Sequence, residues 1–127
     1  MDRLQNIVEE ILRFRDERNW SQFHTPKNLS AALSIEVGEL QELMLWKTDA
    51  EIAKALGTLD GKRRFAAEIA DVLIYALLFC KATGVEPIDA MISKLKENAD
   101  KYPVELSRGN STKYSQLKKH SEKKRGS

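Results

Sequence analysis

Four carboxylates carry most of the chemistry that this sequence offers. Glu36 and Glu39 stand three residues apart, and Glu68 and Asp71 repeat the spacing further along the chain. On a helix, residues three apart share one face. Glu36 falls between Leu33 and Leu40, where an apolar stripe would otherwise be unbroken. Asp71 interrupts the run from Ile69 to Cys80, which is apolar but for the hydroxyl of Tyr75. An ionised carboxylate among apolar neighbours is costly unless it is paired or holds a metal. Two such pairs on facing antiparallel helices would bring four negative charges together, and these repel unless cations or protons join them. All-oxygen ligation suits hard ions, Mg²⁺ or Mn²⁺, with positions left for water and phosphate oxygens. A lone E-x-x-E is usually a solvated helix face, and Arg63, Arg64 or Lys47 could neutralise the second pair instead; the two pairs together put a metal site on an equal footing with these readings. A di-iron carboxylate bundle would need Glu-x-x-His pairs. The two histidines, His24 and His120, follow no Glu by three.

Helices are needed to place these groups, and the apolar spacing supplies them. Leu4, Ile7, Val8, Ile11, Leu12 and Phe14 predict an amphipathic first helix over about Asp2–Arg18. An irregular aromatic loop follows, with Asn28 as the N-cap of a second helix over about Leu29–Leu45. Asp49 should cap a short helix through Leu56, with Gly57 and Asp60-Gly61 as breaks. A third main helix is expected over Lys62–Ala82, stopped by Gly84, and a fourth from Pro87 to about Tyr102, ended by Pro103. The fold class is therefore all-α, a four-helix-bundle-like arrangement with a short extra helix. A helix apolar on every side, as around Asp71, is expected to be covered on every side.

Composition narrows the field. At 127 residues, one domain is the natural reading. The 42% hydrophobic and 31% charged fractions describe a globular protein, and six Gly and three Pro leave little punctuation for an all-β fold. Cys80 stands alone, which excludes an intrachain disulfide and points to a reducing, cytoplasmic setting. No signal peptide is visible at the N-terminus, and the most apolar stretch is too short to span a membrane. The formal charge of +2 hides a division. Residues 107–127 carry seven basic side chains against Glu122, whereas the first 106 hold 14 basic and 18 acidic residues. The expected organisation is a helical catalytic domain over 1–106, a site-flanking segment over 107–114 and a disordered basic tail over 115–127.

Glu36-x-x-Glu39 and Glu68-x-x-Asp71 on successive helices resemble the metal-binding signature of the all-α NTP pyrophosphohydrolases, the MazG-like family. The stretches Arg18–Leu29, Glu36–Leu43, Trp46–Asp49 and Asp71–Tyr75 look like its dCTP pyrophosphatase branch, as do Lys101–Pro103 and Arg108 through Tyr114. The resemblance implies hydrolysis of a nucleoside triphosphate, dCTP or a modified dCTP foremost, between the α and β phosphates. It implies Mg²⁺ on Glu36, Glu39, Glu68 and Asp71, which are then also the catalytic residues. It places Trp20 and Trp46 in a nucleobase pocket, with His24 at base or phosphate and Tyr75 against the sugar. The first helix presents Ile11 and Leu12 where branch members carry a polar His, which leaves base preference open.

Lys94, Asn98 and Lys101 share a face of the fourth helix, followed by Tyr102, and could hold β- and γ-phosphates. The branch resemblance implies that Arg108 and Lys113 close over them. The family assembles as dimers or tetramers, so a homo-oligomer is expected, with no membrane partner. The alternative reading is a helical module that binds nucleic acid or protein through its basic tail; the acidic body speaks against nucleic acid.

Overall fold

The computed structural model describes residues 2–111. Lys113 and the tail over 115–127 lie outside the described residues. The chain divides into two compact units, the second beginning at Glu86. Every regular element among the described residues is helical.

The first unit contains α1 (Arg3–Glu17), α2 (Pro26–Glu42), α3 (Asp49–Leu56) and α4 (Leu59–Thr83). Helix α1 starts where Asp2 accepts a hydrogen bond from the Gln5 amide at 2.8 Å. A single 3₁₀ turn, Ser21–Phe23, lies between α1 and α2. Helix α2 begins earlier than its apolar stripe suggested. Thr25 is the N-cap and accepts from the Asn28 amide, and Pro26 occupies the first helical turn, where its missing N–H costs nothing. Asn28 is thus inside the helix, and its side-chain amide donates to the Phe23 carbonyl at 3.0 Å, fastening the loop to the helix.

Helix α3 is capped by Thr48, one residue before the expected Asp49. The expected break at Asp60-Gly61 is instead the first turn of α4, because Thr58 caps that helix by accepting from the Gly61 amide at 3.0 Å. Glycine at 61 has a steric cause. A Cβ there would stand 2.0 Å from the Ala55 carbonyl oxygen, so the corner between α3 and α4 admits no side chain. Gly84 ends α4 in the left-handed conformation, φ 71°, as its position suggested.

Helix α2 packs chiefly on α4, and α1 and α3 also meet α4. The buried core is small: Leu29, Ile11 and Leu78, with Leu12, Tyr75, Leu77 and Phe79 packed around them. Leu29 is 1% exposed, and burying it contributes about 1.5–3 kcal/mol. Within the single chain α4 is not covered on every side. Leu73 is 57% exposed, and Ile69 and Ile74 are exposed as well. Within their unit, the three neighbouring helices cannot enclose a fourth along its whole length.

The second unit holds α5 (Pro87–Lys101) and α6 (Val104–Ser107). Glu86 caps α5 by accepting from the Asp89 amide. Pro103 separates the two helices, and α6 is a turn that the sequence did not announce.

Candidate active site

Helices α2 and α4 bring the first three carboxylates together. Glu36, Glu39 and Glu68 each offer an oxygen, and these oxygens lie within 4.8 Å of one another. The partnering follows from antiparallel packing: Leu29 and Leu78 share the core, and seven residues onward in α2 and seven back in α4 Glu36 comes under the charge of Asp71. Glu36 and Glu68 are half-buried, whereas Glu39 and Asp71 are exposed.

Crowding shows in the proton affinities. Glu36 is pushed up to about 7, first by loss of solvent, then by contact with Glu39 and the charges of Asp71 and Glu68. Glu68 is raised too, again first by desolvation and then by Glu39 and Asp71. Asp71 therefore adds its charge to the cluster although it is not among the three closest oxygens. One oxygen of Glu36 and one of Glu68 are buried and accept from no donor. Among the described residues, no ion pair joins Arg63, Arg64 or Lys47 to the group. Buried carboxylate oxygens without donors, drawn from two helices and facing one point, fit a hard divalent cation.

Next to the cluster lies a cavity of about 380 Å³, a size suited to a small molecule. Asp71 and Tyr75 of α4 line it, as do Trp20 and His24 of the loop. The rest of its wall includes Ile7, Ile11, Phe14 and Arg15 from one face of α1, and Ile74 and Leu78 from α4. Trp20 packs edge-on against Phe14, their ring centroids 5.7 Å apart, and the Arg18 guanidinium lies 3.7 Å over the Phe14 ring. His24 is held below its ordinary proton affinity by desolvation and by the charge of Arg15. Its Nδ1 is buried with no partner.

The structure thus gathers Trp20, His24, Asp71 and Tyr75 around one space. It does not bring Trp46 there: that side chain is 92% exposed, on a backbone with φ 64°, a left-handed conformation unusual for tryptophan. Lys94, Asn98, Lys101, Tyr102 and Arg108 belong to the second unit. There, Lys94 and Lys101 both pair with Glu97, at 3.4 and 3.1 Å. The branch resemblance ties only Ile11 and Leu12 of α1 to base preference; Ile7, Phe14 and Arg15 are not singled out, because the helical stripe by itself gives no sign that it lines a cavity.

Known proteins bear a clear likeness to this chain. The sequence pattern of the MazG-like family matches residues 31–117. Rat dCTP pyrophosphatase 1 (Rattus norvegicus) is 42% identical over 114 residues, covering 90% of this chain and 67% of the relative. Human dCTP pyrophosphatase 1 (Homo sapiens) is 40% identical over the same shares. A pyrophosphatase of known crystal structure from Archaeoglobus fulgidus superposes with a TM-score of 0.75 at 38% identity, covering 81% of this chain and 94% of its own. By sequence pattern, relatives and fold, this chain belongs to the MazG-like family.

Proposed function

We propose that the protein is a nucleotide pyrophosphohydrolase that converts dCTP to dCMP and pyrophosphate. The observation that carries the reading is the carboxylate cluster of Glu36, Glu39 and Glu68, with its two buried oxygens lacking donors, set against a cavity that Asp71 also lines. The names of the relatives supply the substrate.

Glu36, Glu39, Glu68 and Asp71 would hold Mg²⁺, or Mn²⁺ in its place. When bound, the ion neutralises the triphosphate and polarises its α-phosphoryl group. A carboxylate oxygen of Glu36 or Glu39 orients the attacking water and accepts its proton. The water oxygen bonds to the α-phosphorus, and the bond to the bridging oxygen breaks, its electron pair leaving with pyrophosphate. The aromatic pair Phe14 and Trp20 would give a planar base a surface to stack on, and Tyr75, which lines the same cavity one turn beyond Asp71, would meet the sugar. Lys94, Asn98, Lys101, Tyr102, Arg108 and Lys113 are assigned to the β- and γ-phosphates on sequence grounds, and Lys94 and Lys101 would have to exchange Glu97 for phosphate.

A second copy of the chain is part of this reading. The apolar side chains left exposed on α4, and the exposed Trp46 on its left-handed backbone, support a homo-oligomer. No helix among the described residues is long and apolar enough to cross a membrane. The single Cys80 supports a reducing cytoplasmic setting. The test is turnover of dCTP with Mg²⁺ by the wild type, Glu39→Ala and Glu68→Ala. Turnover that is lost in both variants and on chelation supports the reading; undiminished turnover in either variant overturns it.

A further inference from the structure

Polar groups mark each end of the cavity. Asp71 stands by Glu36 and Glu68, whose proton affinities it raises. Arg15 and His24 stand together, since the Arg15 charge acts on His24. His24 precedes α2, and Glu36 lies ten residues beyond the first residue of that helix, about 15 Å along its axis. Between the two ends the wall is mostly apolar, with Ile11 and Leu78 buried; Tyr75 and the exposed Glu10 also line it. A nucleotide with its phosphates at the carboxylates therefore points its base toward Arg15.

Arg15 is built as a fixed donor. Its Nε donates to Asp16 Oδ1 at 2.8 Å, and its side chain is 19% exposed against 56% for Asp16. This contact engages only Nε, so the terminal Nη donors remain for a ligand, and Arg15 lines the cavity. A guanidinium against apolar walls is costly to leave without acceptors. Its planar fork matches two acceptors side by side. Cytosine offers such a pair, ring N3 beside carbonyl O2. Thymine and uracil carry N–H at position 3, which would confront a donor with a donor.

We propose that Arg15, set in place by Asp16, is the specificity-determining residue for the base, donating to N3 and O2 of a 4-amino-2-oxopyrimidine and so selecting cytosine over thymine and uracil. The proposal rests on reading the cavity as the base pocket of a pyrophosphatase. Arg15 is the reader, and Asp16 is a positioning residue that acts through it.

The test is kcat/KM for dCTP and for dTTP in the wild type, Arg15→Gln, Arg15→Lys and Asp16→Asn. A lost bidentate contact should lower the preference for dCTP by roughly 10- to 100-fold in both Arg15 variants, with dTTP turnover little changed. Asp16→Asn should give a smaller loss, seen as a raised KM for dCTP and not for dTTP. Arg15→Lys keeps the charge and the stem, so it decides the matter if Arg15→Gln fails to fold. A wild type without preference, a preference unchanged in the Arg15 variants, or equal losses for both nucleotides overturns the proposal while leaving the pyrophosphatase reading intact. A wild type that releases no pyrophosphate from any dNTP overturns that reading and this proposal with it.

Discussion

Replacing Glu36 with glutamine should stabilise the metal-free protein at mildly alkaline pH while destroying its metal site. Loss of solvent, and then the neighbouring carboxylates, raise Glu36 from an ordinary 4.5 to about 7. Because the folded value lies above the unfolded one, folding favours the protonated form. The resulting stability is fully present below about pH 4.5 and is lost as pH rises through 7. At about 1.4 kcal/mol per unit, the shift sets a ceiling of roughly 3 kcal/mol, and solvent screening of a half-exposed cluster lowers this to about 1–2 kcal/mol. Glutamine keeps the shape without the charge, so the cost should vanish. For a domain of this size, the melting temperature of Glu36→Gln in chelator should exceed that of the wild type by roughly 3–10 °C at about pH 8, with little difference at about pH 5. Excess Mg²⁺ should raise the wild-type melting temperature and leave the variant's unchanged, because only a ligand that binds the native state adds stability. Thermal melts at the two pH values, with and without Mg²⁺, measure all of this. A variant less stable than wild type at about pH 8, or a gap that does not depend on pH, would refute the argument that this site penalises a charged Glu36.

Other consequences follow from single contacts. Gly61→Ala should destabilise by about 1–3 kcal/mol in denaturant titration, since the new methyl would meet the Ala55 backbone at 2.0 Å and force the α3–α4 corner apart. Thr58→Ala removes the cap of α4 and should cost about 1 kcal/mol in the same assay, with Thr58→Ser recovering most of it. Leu29→Ala empties the centre of the small core, and urea unfolding should show a loss of about 2–5 kcal/mol. Below about pH 7, Mg²⁺ binding should release a proton from Glu36, so its apparent affinity should rise with pH in calorimetry.

Much of the site was legible because buried charge is a strong signal. Glu36 between Leu33 and Leu40, and Glu68 at the head of an apolar run, break patterns that a core would keep, and the structure draws both to Glu39. The capping residues were harder. Asn28 is a good cap by type, but Thr25 followed by Pro26 forms the helix start, and the amide of Asn28 is used to hold Phe23. Gly61 was read as a break because glycine is poor in helices; it is there because the Ala55 carbonyl leaves no room. Arg15 left no trace in the pattern, since a long basic side chain beside an apolar stripe reads equally as one that reaches water. Apolarity around α4 was plain, yet it does not say what covers Leu73, and nothing within its unit does. The second unit held its helix where Pro87 and Pro103 placed it, but spacing could not show that Lys94 and Lys101 already share Glu97.

The most direct test of the central claim is the identity of the phosphorus products. Phosphorus NMR of dCTP incubated with the protein and Mg²⁺ should show dCMP and pyrophosphate rising together in equal amounts, with neither formed in the presence of chelator. Formation of dCDP with orthophosphate, or dCTP left intact at the end of the incubation, would contradict the account.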